Sequence, residues 1–250
     1  MKWSEEYRVH YYYTDYSNVL KPGYIARYMQ ETAWNALKNL GPPPGYLKEN
    51  NLAFILTKIG FKYHEDIYED DIIKVETWAN PAKSLVFPRN YRIYKDGRVA
   101  AEAVSAWVLM DAKEKAILRP EVLGANFTAY DDEEPMFAIQ RRLQTPQAMD
   151  FYGEYKVGYS DIDTYFHMNN AAYIDLICDT LYAEGEIPEG KKRAVSLEVN
   201  YNGEARHAQV IEISKGSLPC GGGTEEHYIR AKVKGAQQNC FESKIVLARG

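Results

Sequence analysis

The sequence predicts an α+β fold in which one unit, a long helix followed by a run of antiparallel strands, occurs twice. Three observations predict it. Short motifs recur in order along the chain, an apolar helical stripe follows the start of each copy, and aromatic-rich strand patterns bounded by turns follow each helix.

The recurrence comes first because it sets the domain organisation. Tyr13-Thr14-Asp15-Tyr16 resembles Tyr159-Ser160-Asp161-Ile162 at an offset of 146. Later segments match at 138: Lys62-Tyr63-His64-Glu65-Asp66 falls on Asn200-Tyr201-Asn202-Gly203-Glu204, and Ile72–Val75 on Val210–Ile213. Arg92 falls on Arg230, Gly97 on Gly235, and Val108-Leu109 on Val246-Leu247. The change of offset makes the second copy eight residues shorter between helix and next strand, where the first carries Pro42-Pro43-Pro44. The expected boundaries are 1–125 for the first copy, 126–150 for a linker containing Asp131-Asp132-Glu133-Glu134, and 151–250 for the second copy.

Within each copy a strand opens the unit, over Glu6–Tyr13 and Glu154–Tyr159. In the first helix Ile25, Tyr28, Met29, Thr32, Ala33, Ala36, Leu37 and Leu40 recur at 3.6-residue spacing. The second helix, about Asn170 to Glu184, is apolar on more than one side through Tyr173, Ile174, Leu176, Ile177 and Leu181, as a helix wrapped by a sheet must be. Hairpins are expected at Asp96-Gly97 and Lys234-Gly235. The 21 tyrosines, many of them in these strands, suit a pleated, half-buried surface.

Composition narrows the function classes. Hydrophobic residues at 46% suffice for a packed core, and a net charge of −5 argues against a general nucleic-acid binder. The start, Met1-Lys2-Trp3-Ser4-Glu5-Glu6-Tyr7, has no apolar stretch of a secretory signal, and no run is long enough to span a bilayer. Cys178, Cys220 and Cys240 lack a CxxC spacing and read as reduced thiols of a cytoplasmic protein. No metal-ligand spacing and no glycine-rich phosphate loop are evident, so no cofactor is expected.

Comparing the copies points to candidate chemistry. At an offset of 146, Asp163 has Ser17 opposite it and His167 has Lys21, whereas Asp161 and Asp15 are shared. Glu204 falls on Asp66. Asp, His and Glu together make an acid–base set, while His167 before Asn169-Asn170 is equally compatible with a helix cap. His207 and His227 have no partner pattern and are expected at the surface.

The stretch from Tyr159 through Asp163 to His167-Met168-Asn169-Asn170 resembles the signature of the acyl-acyl carrier protein thioesterases, an Asp followed four residues later by a His and then an Asn pair. Gln30-Glu31-Thr32-Ala33, Thr77-Trp78 and Ser105–Met110 resemble further segments of that family. The resemblance implies a tandem double hotdog fold and hydrolysis of fatty acyl thioesters on acyl carrier protein, ending chain elongation. It assigns the catalytic roles to Asp163, His167 and Glu204 in the second copy. The chain departs from the family at Tyr165, where an Asn is usual, and at Ala205, where plant members have Cys, which excludes a cysteine nucleophile there. The first copy is expected to hold the acyl chain with Met29, Ala33 and Trp34, and Lys191-Lys192-Arg193 to face the acidic carrier protein. A monomer or homodimer is expected, with no nucleic acid and no stable membrane insertion. An acyl-CoA thioesterase of the hotdog superfamily and an inactive lipid-binding protein are the alternatives.

Overall fold

The computed structural model describes residues 1–127, 129, 134–140, 142–146, 148–181, 192–219 and 223–249. Asp131, Asp132 and Glu133 of the acidic run, Glu184 at the expected helix end, Lys191 and Cys220 lie outside them. The chain divides into a first unit of residues 1–20 and 25–139 and a second of residues 21–24 and 140–250.

The first unit opens with β1 (Trp3–Arg8) and then α1 (Pro22–Leu40), the short α2 (Tyr46–Glu49), β2 (Leu52–Tyr63), β3 (Ile72–Ala79), β4 (Val86–Lys95), β5 (Arg98–Asp111) and β6 (Ala116–Leu118). Its strand order is β1-β3-β4-β5-β2, antiparallel throughout, with β6 on β5. Ile25, Ala26, Met29 and Ala36 of α1 are buried, as the 3.6-residue stripe predicts. Tyr28 Oη donates to the Arg8 carbonyl, which ties α1 to β1. α1 ends before Gly41, where a Cβ would lie 2.4 Å from the Leu37 carbonyl oxygen so that only glycine fits, and the three prolines that follow cannot continue the helix. β4 and β5 meet across Asp96-Gly97, both at positive φ (48° and 73°), the geometry of a two-residue hairpin.

The second unit repeats this plan: β7 (Asp150–Lys156), α3 (Asn170–Asp179), β8 (Lys192–Tyr201), β9 (Val210–Pro219), β10 (Thr224–Val233) and β11 (Phe241–Arg249), in the order β7-β9-β10-β11-β8. Ala171 to Ile174, Leu176 and Ile177 are all buried, so α3 is enclosed on most sides, with Tyr173 packed edge-on against Tyr201 and Phe241.

Three expectations are corrected. The opening strands end early, at Arg8 and Lys156, and the chain turns into single 3-10 turns over Tyr11–Tyr13 and Tyr159–Asp161. The N-terminal offset is 148, not 146. Thr14 bridges Leu20 as Ile162 bridges Met168, and Val9 N–H donates to the Asp71 carbonyl as Val157 N–H does to that of Gln209. The second pair also confirms 138 beyond the helix, so the second copy is ten residues shorter there. In the last strand the offset becomes 140: Leu56↔Trp107 corresponds to Ala194↔Leu247, each next to a β-bulge.

Candidate active site

The turn that carries His167 is built from backbone hydrogen bonds. Asp163 N–H donates to the His167 carbonyl (2.9 Å), Phe166 N–H donates to the Asp163 carbonyl (3.0 Å), and Tyr165 N–H donates to Asp163 Oδ1 (2.9 Å). The first unit makes the same turn with Asp15, whose Oδ1 accepts from Ser17 N–H (2.8 Å) and Val19 N–H (3.1 Å). The structural counterpart of Asp163 is therefore Asp15, that of His167 is Val19, and that of Asp161 is Tyr13. Ser17 and Lys21 are not the residues opposite Asp163 and His167. An Asx turn accounts for the Asp in both units, whereas the histidine occurs only in the second.

Asp161 shapes the same region. Its Oδ2 accepts from Gly158 N–H (2.7 Å) and Tyr155 Oη (2.8 Å), while its carbonyl accepts from Asn169 N–H (2.7 Å). Burial and that carboxylate push the Tyr155 phenol up to about 12, so it stays a donor at neutral pH. Asn169 then caps α3, its Oδ1 accepting from Ala171 N–H at 2.8 Å.

Glu204 is brought to His167 by its neighbour. Ala205 is fully buried, its carbonyl accepts from Met168 N–H (2.8 Å), and its N–H donates to Tyr173 Oη (3.0 Å). This clamp fixes the loop after β8 on the turn before α3 and sets His167 Nε2 at 2.9 Å from Glu204 Oε2. Both side chains reach solvent, His167 at 26% and Glu204 at 47% exposure, and Arg206 Nη2 lies 3.9 Å from the same carboxylate oxygen. The structure thus brings His167 and Glu204 together and places Asp163 in the turn, while the exposed Tyr165 contributes its backbone.

Tyr173 is the residue that sequence reasoning missed. At the corrected offset its counterpart is Ile25, so the hydroxyl is peculiar to the second unit. Burial raises the Tyr173 phenol well above its ordinary value, with the Ala205 N–H opposing, so it remains protonated. Tyr173→Phe leaves the buried Ala205 N–H without its acceptor. The expected loss is about 1–3 kcal/mol in denaturant unfolding, with a fall in kcat, since Glu204 is no longer held in place. Unchanged stability and kcat would show that the clamp is not needed.

The residues expected at the acyl chain divide between faces of α1. Met29 is fully buried and Ala33 half-buried, but Trp34 is 48% exposed and carries Lys38 Nζ 5.2 Å from its ring centre. Five residues separate Met29 from Trp34, about 140° around a helix, so the two cannot share a face. A shallow pocket in the first unit is lined further along α1 by Ala36, Leu37 and Leu40, and by Thr77, Arg89 and Phe127. His227, expected at the surface, is buried on β10, whereas His207 is exposed. Cys240 is buried, donates to the Ala231 carbonyl, and has its thiol pushed up to about 11 by desolvation, which makes it a poor nucleophile. Among the described residues no group of three or more His, Cys, Asp or Glu is placed to hold a metal ion.

Comparison with known proteins identifies the family and the fold. The Acyl-ACP thioesterase N-terminal domain family matches residues 1–122, and the Acyl-ACP thioesterase C-terminal domain family matches residues 144–245. The fold is shared with an acyl-ACP thioesterase from Bacteroides thetaiotaomicron at 19% identity, covering 98% of this chain and 97% of that one, with a TM-score of 0.86. It is also shared with the 12:0-ACP thioesterase from Umbellularia californica at 13% identity, covering 100% and 94%, with a TM-score of 0.83. Both likenesses establish the tandem double hotdog fold. No curated protein sequence matches the chain.

Proposed function

The chain belongs to the acyl-ACP thioesterase family and hydrolyses fatty acyl-acyl carrier protein thioesters, and we propose that it does so at the His167–Glu204 pair of its second unit. The observation that carries this assignment is the 2.9 Å contact between His167 Nε2 and Glu204 Oε2, a pair whose first-unit counterparts are Val19 and Asp66.

A water beside the pair attacks the thioester carbonyl carbon, and its proton passes to the pair. The C–S bond then breaks, and the same proton is delivered to the departing thiolate, giving free acid and thiol. Negative charge on the carbonyl oxygen needs a donor. Met168, Asn169 and Ala171 N–H groups are engaged elsewhere, whereas Asn170 N–H, at the first position of α3, has no intrahelical acceptor. We assign it that role.

Asp163 shapes the turn that aims His167, since Asp15 does the same where there is no histidine. It is accordingly a positioning residue and not the nucleophile. A single turnover in oxygen-18 water is expected to place the label in the fatty acid. Label in the Asp163 carboxylate, with unlabelled product, would establish direct attack by Asp163 instead.

The first unit, which has no counterpart of His167, is proposed to hold the acyl chain, with Met29 and Ala33 on its buried side and Trp34 outside it. Among the described residues no helix is long and apolar enough to cross a membrane. A cytoplasmic location, and a monomer or homodimer, are proposed on the sequence evidence alone.

A further inference from the structure

The turn before His167 contains a conformational anomaly. Phe166 has φ 65°, in the left-handed region, and its ring is 79% exposed. For a bulky residue this conformation is a true outlier, because Cβ meets the backbone carbonyl. The first unit shows what the turn requires by itself. At the equivalent position Asn18 has φ 63°, a residue type suited to it, and its Oδ1 accepts from Thr14 Oγ1 (3.3 Å) to close the turn. The second unit has replaced a residue that stabilises the turn with one that strains it, and has set an apolar ring in water. Tyr165 beside it is 66% exposed and Tyr159, on the preceding 3-10 turn, 89%. None of the three rings packs in the core, so folding does not explain them.

Their position does. Phe166 immediately precedes His167, so whatever delivers a thioester to the His167–Glu204 pair must approach this turn. Exposed aromatics on the turn that carries His167, together with an exposed arginine, Arg206, 3.9 Å from Glu204, have the composition of a protein-recognition surface. We propose that Phe166, with Tyr165 next to it in the chain and Tyr159 on the preceding 3-10 turn, is a docking surface for the folded body of the acyl carrier protein. This rests on the carrier thioester being the substrate, and it adds the surface that distinguishes that substrate from the same acyl chain on coenzyme A. Apolar ring on apolar carrier surface supplies the affinity, and Arg206 complements an acidic partner.

Phe166→Asn restores the residue that the first unit uses in the same backbone conformation, so the variant is expected to fold with an unchanged or higher melting temperature. Three quantities decide the matter: Kd for unacylated holo-carrier protein by calorimetry, and kcat/KM for one acyl chain on carrier protein and on coenzyme A. The docking surface predicts a Kd raised at least tenfold. It also predicts a loss of kcat/KM on the carrier thioester at least tenfold greater than on the coenzyme A thioester, mostly in KM. Phe166→Leu should recover part of both. Equal losses on the two substrates would place Phe166 in the catalytic turn only, a greater loss on coenzyme A would make it a nucleotide contact, and an unchanged Kd would leave the ring idle. Each of these overturns the proposal. Absence of hydrolysis by the parent enzyme would count against the thioesterase assignment, while the calorimetric comparison would still decide this one.

Discussion

His167→Ala is expected to lower kcat/KM on fatty acyl-carrier thioesters by about 10²–10⁴-fold, the range for loss of a positioned acid–base group. Stability should change by less than about 1 kcal/mol, because the contact with Glu204 is partly solvated and surface pairs of this kind contribute little to folding. The split between the two readouts is the informative part. A helix-capping histidine would show the reverse, a lower melting temperature with activity kept. That role is already filled by Asn169, whose Oδ1 caps Ala171 N–H.

Glu204→Gln comes next in size. Gln keeps the length and shape of the side chain and removes only the charge, so the Ala205 clamp should survive and the fold with it. The carboxylate can accept from His167 Nε2–H and carry part of the transferred proton; the amide oxygen can still accept that hydrogen bond but cannot take up the proton. A fall of about 10²-fold in kcat/KM is expected, with circular dichroism and the unfolding midpoint unchanged. Activity within a few-fold of the parent would remove Glu204 from the proton path and leave it as a surface acid.

Much of this was legible in the sequence, for reasons that can be named. The α1 stripe, the Asp96-Gly97 hairpin and the enclosed α3 each depend on residues close together in the chain, and local spacing reports them directly. The duplication was legible as well, but its register was not. Matching residue types placed Asp15 on Asp161; matching hydrogen bonds places it on Asp163, two residues later, because the acid is used to fold a turn and either acid fits the same short string. That slip hid Tyr173. Its hydroxyl acts on a backbone N–H thirty-two positions away, on Ala205, and no motif records such a contact. The opening strands were read too long for a related cause: tyrosine favours strands, yet Tyr11–Tyr13 and Tyr159–Asp161 close 3-10 turns once the chain leaves the sheet edge. Trp34 and His227 exchanged their expected places, one exposed and one buried, because a single residue's side depends on what the opposite element presents.

The central claim, that one proton-transfer unit made of His167 and Glu204 hydrolyses the thioester, is tested most directly by a double-mutant cycle. kcat/KM is measured on one acyl-carrier thioester for the parent, His167→Ala, Glu204→Gln and the double variant. Residues acting as a unit predict a double variant no more than a few-fold slower than the worse single variant. Losses that multiply, so that the double variant shows the product of the two single effects, would mean independent roles and contradict the account.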